Sequence, residues 1–424
     1  MELREGYKQT EVGIIPVDWD EVKFGNIIDY TKGFAFKSKD YVSYGTRIIR
    51  VSDTTFDSIK EENQIYVDNK EDKHYSKWML FENDLIFSTV GSKPPMYDSM
   101  VGKVILIPKN HEGSLLNQNA VLIRSKNKTA SKQKFLLHHF RTKRYLNYIE
   151  KIFRGNANQA SITLDELFKF AIPLPPTNVE QTAIATALSD ADALIQSLTT
   201  LIAKKRNIKQ GTMQELLKPK KGWVAKKLGR VCWFQEGPGV RNFQFTSSGV
   251  KLLNGTNIEN GKLLLDKTDR YISEKEAFGC YSHFLVDAND IVIACSGITV
   301  DRFHEKVTVV NEVHLPLCMN TSTMRFKVIS KKISKDYFFH FLKSISFKKQ
   351  IGGQATGSAQ LNFGPSHVEK VSIWLPKLEE QTHIATILSD MDAEITTLEN
   401  KLDKYRQIKQ GMMQELLTGK TRLI

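Results

Sequence analysis

The chain has 424 residues, with 60 Lys and Arg against 47 Asp and Glu, a formal net charge of +13, and 41% hydrophobic residues. At roughly 150 residues per domain this length suggests two or three domains, and the apolar content excludes both a disordered chain and a small stapled scaffold. The basic balance points to a polyanionic partner, nucleic acid first and an acidic membrane surface second, and says nothing of fold.

Cys232, Cys280, Cys295 and Cys318 all lie in the second half and form no C-x-x-C pair, so they read as free thiols of a reducing cytoplasm. The N-terminus is charged where a secretory signal would be apolar, and no run approaches the ~18 apolar residues of a membrane span. A soluble cytoplasmic protein is expected.

Short β-type runs occur at 47–51, 84–87, 102–107 and 120–123, separated by Gly, Pro, Asn and Ser turns, and a helix is expected over 131–153. After Pro175 and Pro176, apolar residues fall at Ile184, Leu188, Ala191, Ile195, Leu198 and Ile202. This alternation of four and three is a coiled-coil seam. Thr177 or Asn178 can cap the start of that helix, and Pro219 ends its pattern. Further on, β-type runs recur at 250–253, 290–293 and 306–310, with a helix expected over 335–351. A second seam follows at Ile384, Leu388, Met391, Ile395, Leu398, Leu402 and Tyr405, ended by Gly419. Each long helix, at about 38 residues, would be roughly 57 Å long.

The two seams belong to an internal repeat. Residues 180–217 align without a gap on 380–417, and 24 of the 38 positions are identical. Upstream the likeness is weaker but stays near register: Asn119 matches Asn320, Arg124 matches Arg325, Gln159 matches Gln360, residues 83–86 echo 289–292, and Trp19 echoes Trp223. Two diverged copies of one unit are therefore expected, each a mixed α/β (α+β) globular part followed by a long helix. The expected boundaries are 1–176, 177–219, 220–377 and 378–424. Neither helix can satisfy its seam alone, so the two should pack as an antiparallel coiled coil in a pseudo-twofold dumbbell. The alternative is that each helix packs on its own globular part.

Catalytic constellations are missing: no G-x-x-x-x-G-K-[ST] loop, no G-x-G-x-x-G after a strand, no H-E-x-x-H and no zinc-spaced Cys/His cluster. The glycine-rich segment 234–239 and the Pro-Pro segment 92–96 read as loops, and His138, His139 and the Cys280/His283 pair as packing or surface residues. Neither a catalytic nor a cofactor-binding nor a metal-binding residue is assigned.

Basic residues instead concentrate at matching places. Residues 124–154 hold ten Lys or Arg against Glu150 alone, and 325–349 hold eight against Asp336. One such run is an ordinary solvated face; the same excess in both copies points to phosphate contact. Arg141, Lys143 and Arg144 stand out in the first copy, and Lys348 and Lys349 in the second. Each run leads into an amide-rich loop, with Arg154, Asn156, Asn158 and Gln159 in one and Gln354 and Gln360 in the other. Amide side chains can read adenine edges, and Arg or Lys can read guanine. Lys32, Lys37, Lys93, Arg241, Asn242 and Arg302 complete the candidate DNA-contacting set.

The segment 7–13 (YKQTEVG) with Ile15-Pro16 and Trp19, the Leu-Pro then Glu-Gln junctions, and the Q-G-x-M-Q-E-L-L helix ends resemble the specificity subunit of type I restriction-modification systems. The resemblance covers essentially the whole chain. It implies two target recognition domains, each reading one half of a split double-stranded DNA site, with the helices fixing their separation. It also implies a non-catalytic subunit that docks two modification subunits, which methylate adenine, and restriction subunits, which translocate and cut DNA. S-adenosylmethionine, ATP and Mg would then belong to those partners, and the exposed helix faces around Lys204-Lys205-Arg206 and 404–409 would be the docking surfaces. Because the two globular parts differ, an asymmetric site is expected. The rival readings are a stand-alone DNA methyltransferase and a helical adaptor that binds only proteins.

Overall fold

The computed structural model of the chain describes residues 5–94, 96–126, 129–155, 159–352 and 360–423. Contacts divide it into two units, Met1–Thr199 with Asn400–Ile424, and Thr200–Glu399. Each long helix gives its first half to one unit and its second half to the other.

In the first unit, strands Val104–Leu106, Leu85–Ser88, Ala120–Ser125 and Ile28–Lys32 form an antiparallel sheet in that order. Leu85–Ser88 is buried along its whole length, which is why Leu85, Ile86 and Phe87 follow one another without a polar residue. Its alternate side chains serve two cores. Leu85 and Phe87 pack with Phe135, Tyr145 and Ile149 of the helices. Ile86 packs with Ile49 and Leu116 of a second sheet. That sheet runs Leu115–Leu116, Thr46–Ile49, Ile65–Val67, Tyr41–Val42, its first pair parallel. The second unit repeats the plan with Cys232–Glu236, Thr323–Val328, Ile291–Ala294 and Val307–Val309 in one sheet. Its other sheet holds Phe245–Thr246, Tyr271–Ile272, Val250–Leu253 and Leu317–Met319, again with one parallel pair.

Two sequence expectations are corrected. The helix expected over 131–153 is two helices, Ala130–His139 and Lys143–Ile152, because the Thr142 hydroxyl accepts the Tyr145 amide at 3.2 Å and caps a new start. The helix expected over 335–351 is likewise Lys335–Leu342 and Ile345–Gly352, with the Ser344 hydroxyl accepting the Phe347 amide at 3.2 Å. Register also refines the repeat. Leu85 pairs with Ile123 as Ile291 pairs with Phe326, so the positional counterpart of Arg124 is Lys327, and Arg325 lies two residues earlier. Arg124 nonetheless binds Asp84 (2.5 Å) and Arg325 binds Asp290 (3.3 Å), the equivalent aspartates. Both arginines, counted above in the basic runs, tie each fold together.

The long helices are Asn178–Leu216 and Leu378–Leu416. Of the two possible caps, Thr177 serves, its hydroxyl accepting the Glu180 amide at 3.2 Å. The helices pack antiparallel within each unit. In the first, Lys409 pairs with Asp192, and Arg422 binds Glu180 (2.8 Å) and Asp18 (3.0 Å) while lying over the Trp19 ring. In the second, Lys209 pairs with Asp392, Lys205 with Glu394 (2.7 Å) and Arg206 with Glu399 (2.6 Å).

Of the seam, Ile184, Leu188, Leu198, Ile202, Ile384, Leu388, Ile395 and Leu402 are buried, and Ala191, Ile195, Met391, Leu398 and Tyr405 are half-buried. Ile184 and Leu188 join the core of the first unit together with Leu416 and Leu417, so the helix starts also pack on their own globular parts. The two packing schemes coexist.

Candidate nucleic-acid interface

In the first unit, four segments converge at one end of the main sheet. The Gly33 amide donates to the Ala120 carbonyl (2.9 Å), Gln118 to Phe34 (2.8 Å), Thr89 to Asn119 (2.9 Å) and Ile162 to Thr89 (3.0 Å). The approach at Gly33 is so close that a Cβ there would lie 1.9 Å from the Asn117 carbonyl oxygen, which only glycine tolerates. Lys32, Lys93 and Gln159 are exposed on these segments, and Arg154, also exposed, exchanges two backbone hydrogen bonds with Ser161. Lys37 is exposed further along the chain leaving Lys32.

The second unit builds the same end. Gly237 donates to Thr323 (2.9 Å), Cys295 to Ser322 (2.9 Å) and Phe363 to Cys295 (2.9 Å). With Gly237 the counterpart of Gly33, Arg241 corresponds to Lys37, each just before a 3-10 turn (Asn242–Gln244 and Ser38–Asp40). Arg241 and Asn242 are exposed, as is Gln360, which pairs with Thr299. Arg302 is bound to Glu305 at 2.7 Å. Lys349 is exposed and Lys348 half-buried. Glu236 stands where the first unit has Lys32, so the charge pattern differs between the two ends. Asn156, Asn158 and Gln354 lie outside the described residues.

Arg141, Lys143 and Arg144 sit elsewhere, at the far end of a ten-residue helix from Arg154, about 15 Å away by helical rise. Arg144 donates to the Ala171 carbonyl (2.5 Å) and lies over the Phe170 ring (4.4 Å), and burial lowers its pKa to about 10. Arg141 faces Asp192 at 3.7 Å. Lys143 is exposed. Arg141 is engaged where the globular part meets the long helices and Arg144 within the globular part itself, a placement that spacing alone could not reveal.

That junction is duplicated. His138 faces the Ser189 hydroxyl (3.4 Å) beside Asp192 and Lys409; His340 faces the Ser389 hydroxyl (3.0 Å) beside Asp392, Lys209 and Lys343. Burial drives the pKa of His138 down to about 4 and that of His340 to about 3. Both are therefore packed as neutral rings, with Asp192 and Asp392 opposing the shift. A depressed histidine pKa means that the unfolded chain takes up protons first, so the stability present above pH 6.5 is lost as pH falls toward the folded value. We expect urea stability to drop by about 1.5 kcal/mol per histidine between pH 6.5 and 5. Denaturation midpoints across that range check this against a His138→Gln, His340→Gln double variant, which should lose these two rings' share of the slope and keep that of His139, whose pKa burial also lowers.

Among the described residues no group of three or more His, Cys, Asp or Glu is placed to hold a metal, and no helix is long and apolar enough to cross a membrane. Cys232, Cys295 and Cys318 are buried thiols whose pKa burial raises to about 12; Cys280 is exposed.

A feature missed in the sequence adjoins the sheet end of the second unit: a cavity of about 390 Å³ lined by Asn254, Thr256, Arg270, Ser296 and Lys306 among others. Its residues come from five separate stretches of chain, and no local motif announces them.

The profile of the family described as type I restriction modification DNA specificity domain matches residues 16–206 and again 220–410. The provisionally named type I restriction enzyme MjaX specificity subunit of Methanocaldococcus jannaschii is 29% identical, covering 99% of this chain and 97% of that protein. The MjaVIII specificity subunit of the same organism is 26% identical, covering 99% and 96%. The crystal structure of a type I restriction-modification S subunit from M. genitalium shares the fold with a TM-score of 0.59 at 15% identity, covering 98% of each chain. With two repeats of one α/β plan, paired long helices and a profile that matches both copies, the chain belongs to the type I restriction-modification DNA specificity family.

Proposed function

We propose that this specificity subunit recognises a bipartite, asymmetric double-stranded DNA site, with residues 1–176 reading one half and 220–377 the other. The long helices, 177–219 and 378–424, act as the spacer, so the gap between half-sites becomes part of the specificity. The duplicated sheet end carries the reading: the same backbone convergence presents Lys32, Lys37, Lys93 and Gln159 in one unit and Arg241, Asn242 and Gln360 in the other. Lysines and arginines supply phosphate affinity, and amides and arginines can pair with base edges. Glu236 in place of Lys32 supports unlike half-sites.

The subunit works in the cytoplasm and itself performs no chemistry. It docks two modification subunits, which bring S-adenosylmethionine, and restriction subunits, which bring ATP and Mg. Lys205, Arg206 and Lys209 are engaged with the opposite helix, so the docking faces centre on exposed Lys204 and Lys404. Charge reversal at both is expected to abolish co-purification of modification subunits while leaving the chain folded; retained assembly would remove this assignment.

Duplex binding followed by fluorescence anisotropy tests the DNA reading. With six to ten phosphate contacts, affinity should fall by about 10³ to 10⁵ between 50 and 200 mM salt. A flat response would exclude the basic sheet ends as a DNA face.

A further inference from the structure

The cavity beside the sheet end of the second unit has a counterpart in the first, and the two differ greatly in size. Asn254 precedes the 3-10 turn Gly255–Asn257 as Arg50 precedes Val51–Asp53, and in both the residue closing the turn bonds back to that amide (3.0 and 2.9 Å). Lys306 donates to the Ile258 carbonyl (2.6 Å) and Lys103 to that of Thr54 (2.5 Å), each the residue that follows this turn. Yet the space is about 390 Å³ in the second unit and about 10 Å³ in the first. In the first unit the Arg50 guanidinium binds Asp53 (2.7 Å), and the Phe56 amide donates to the Asp98 carboxylate (3.2 Å). In the second, Asn254 is held by the Asn320 amide (3.0 Å) and the space above it stays open.

The rim carries hydrogen-bonding side chains. Arg270 is exposed and lies over the Phe245 ring at 5.4 Å, a stacking that stiffens its planar donor fork. Thr256 is exposed, and Ser296 is fixed by a hydrogen bond to Asn362 (2.9 Å). Ile298 of the lining belongs to the strand that pairs with Gln360–Leu361, so the cleft continues the surface carrying Gln360.

We propose that this cleft reads a purine in the half-site of the second unit, with Arg270 and Asn254 engaging the base edge, Thr256 and Ser296 bordering it, and Lys306 supporting the floor. The first unit, closed at this place, reads its half-site without such a recess. This rests on the DNA reading proposed above and goes beyond it by separating the two units in mechanism. Arg and Asn are the side chains whose paired hydrogen bonds match the major-groove edges of guanine and adenine.

Selection of bound sequences from a pool of randomised duplexes by the full chain tests it. Arg270→Ala and the charge-keeping Arg270→Lys should both relax base preference about tenfold or more at one or two adjacent positions of one half-site. Preference in the other half-site should be unchanged. Asn254→Arg, which places the first unit's residue in the cleft, should do the same. Preserved preferences in all three variants, or a uniform loss of affinity with preferences kept, would overturn the proposal. If the unsubstituted chain selects no sequence at all, the DNA reading itself falls, a failure distinct from that of the cleft.

Discussion

Adding one heptad to both long helices is expected to abolish binding of the original site and move the preferred gap by about three base pairs. Seven residues lengthen a helix by about 10.5 Å, close to three base-pair steps of about 3.4 Å. Three steps also turn the far half-site by roughly 100° around the duplex at about 10.5 base pairs per turn, whereas a heptad turns a helix by only ~20°. The lengthened chain should therefore bind its best new site less tightly than the parent binds the original. Selection from duplexes with systematically varied gaps measures both effects, and an unchanged gap would refute the spacer mechanism. Insertion into one helix alone should behave differently. It prevents the Lys209–Asp392 and Lys409–Asp192 pairs from forming together, so it should lower stability before it alters spacing.

Arg325→Met is expected to destabilise the second unit by about 3–5 kcal/mol. The Arg325 and Asp290 side chains are 6% and 4% exposed, and the guanidinium also donates to the Leu285 (2.5 Å) and His283 (2.8 Å) carbonyls. Removing it leaves a buried carboxylate and two carbonyls with a lost donor, which costs more than deleting a surface pair. Arg124→Met should cost less, because Arg124 is 27% exposed and water can partly replace it. Urea unfolding of the two variants, read against the parent, gives the order; equal effects would show that burial does not set the difference.

The long helices were legible in the sequence because their seams repeat at fixed spacing and recur 200 residues later with 24 of 38 identities. The central strands were legible for a related reason: Leu85–Ser88 and Ile291–Ala294 are buried on both faces and each holds at least three consecutive apolar residues. The helix breaks were hidden, since Thr142 and Ser344 lie inside periodic apolar stretches where a cap looks like any polar residue. Among the candidate contacts, sequence spacing grouped Arg141 and Arg144 with Arg154 because they are near in the chain. The structure separates them, binding Arg144 to Ala171 and Phe170 and facing Arg141 to Asp192. The cleft was invisible because Asn254, Arg270 and Ser296 meet only through sheet pairing across long intervals.

The division of the chain also constrains the order of events during synthesis. Residues 200–399 are continuous, so that half has all its parts once they have emerged from the ribosome. The other half waits for residues 400–424, whose Leu416 and Leu417 complete its interior and whose Arg422 clamps Asp18, Trp19 and Glu180. What is translated first is thus finished last, and nascent chains stalled before residue 400 would carry one matured lobe and one still lacking its closing segment.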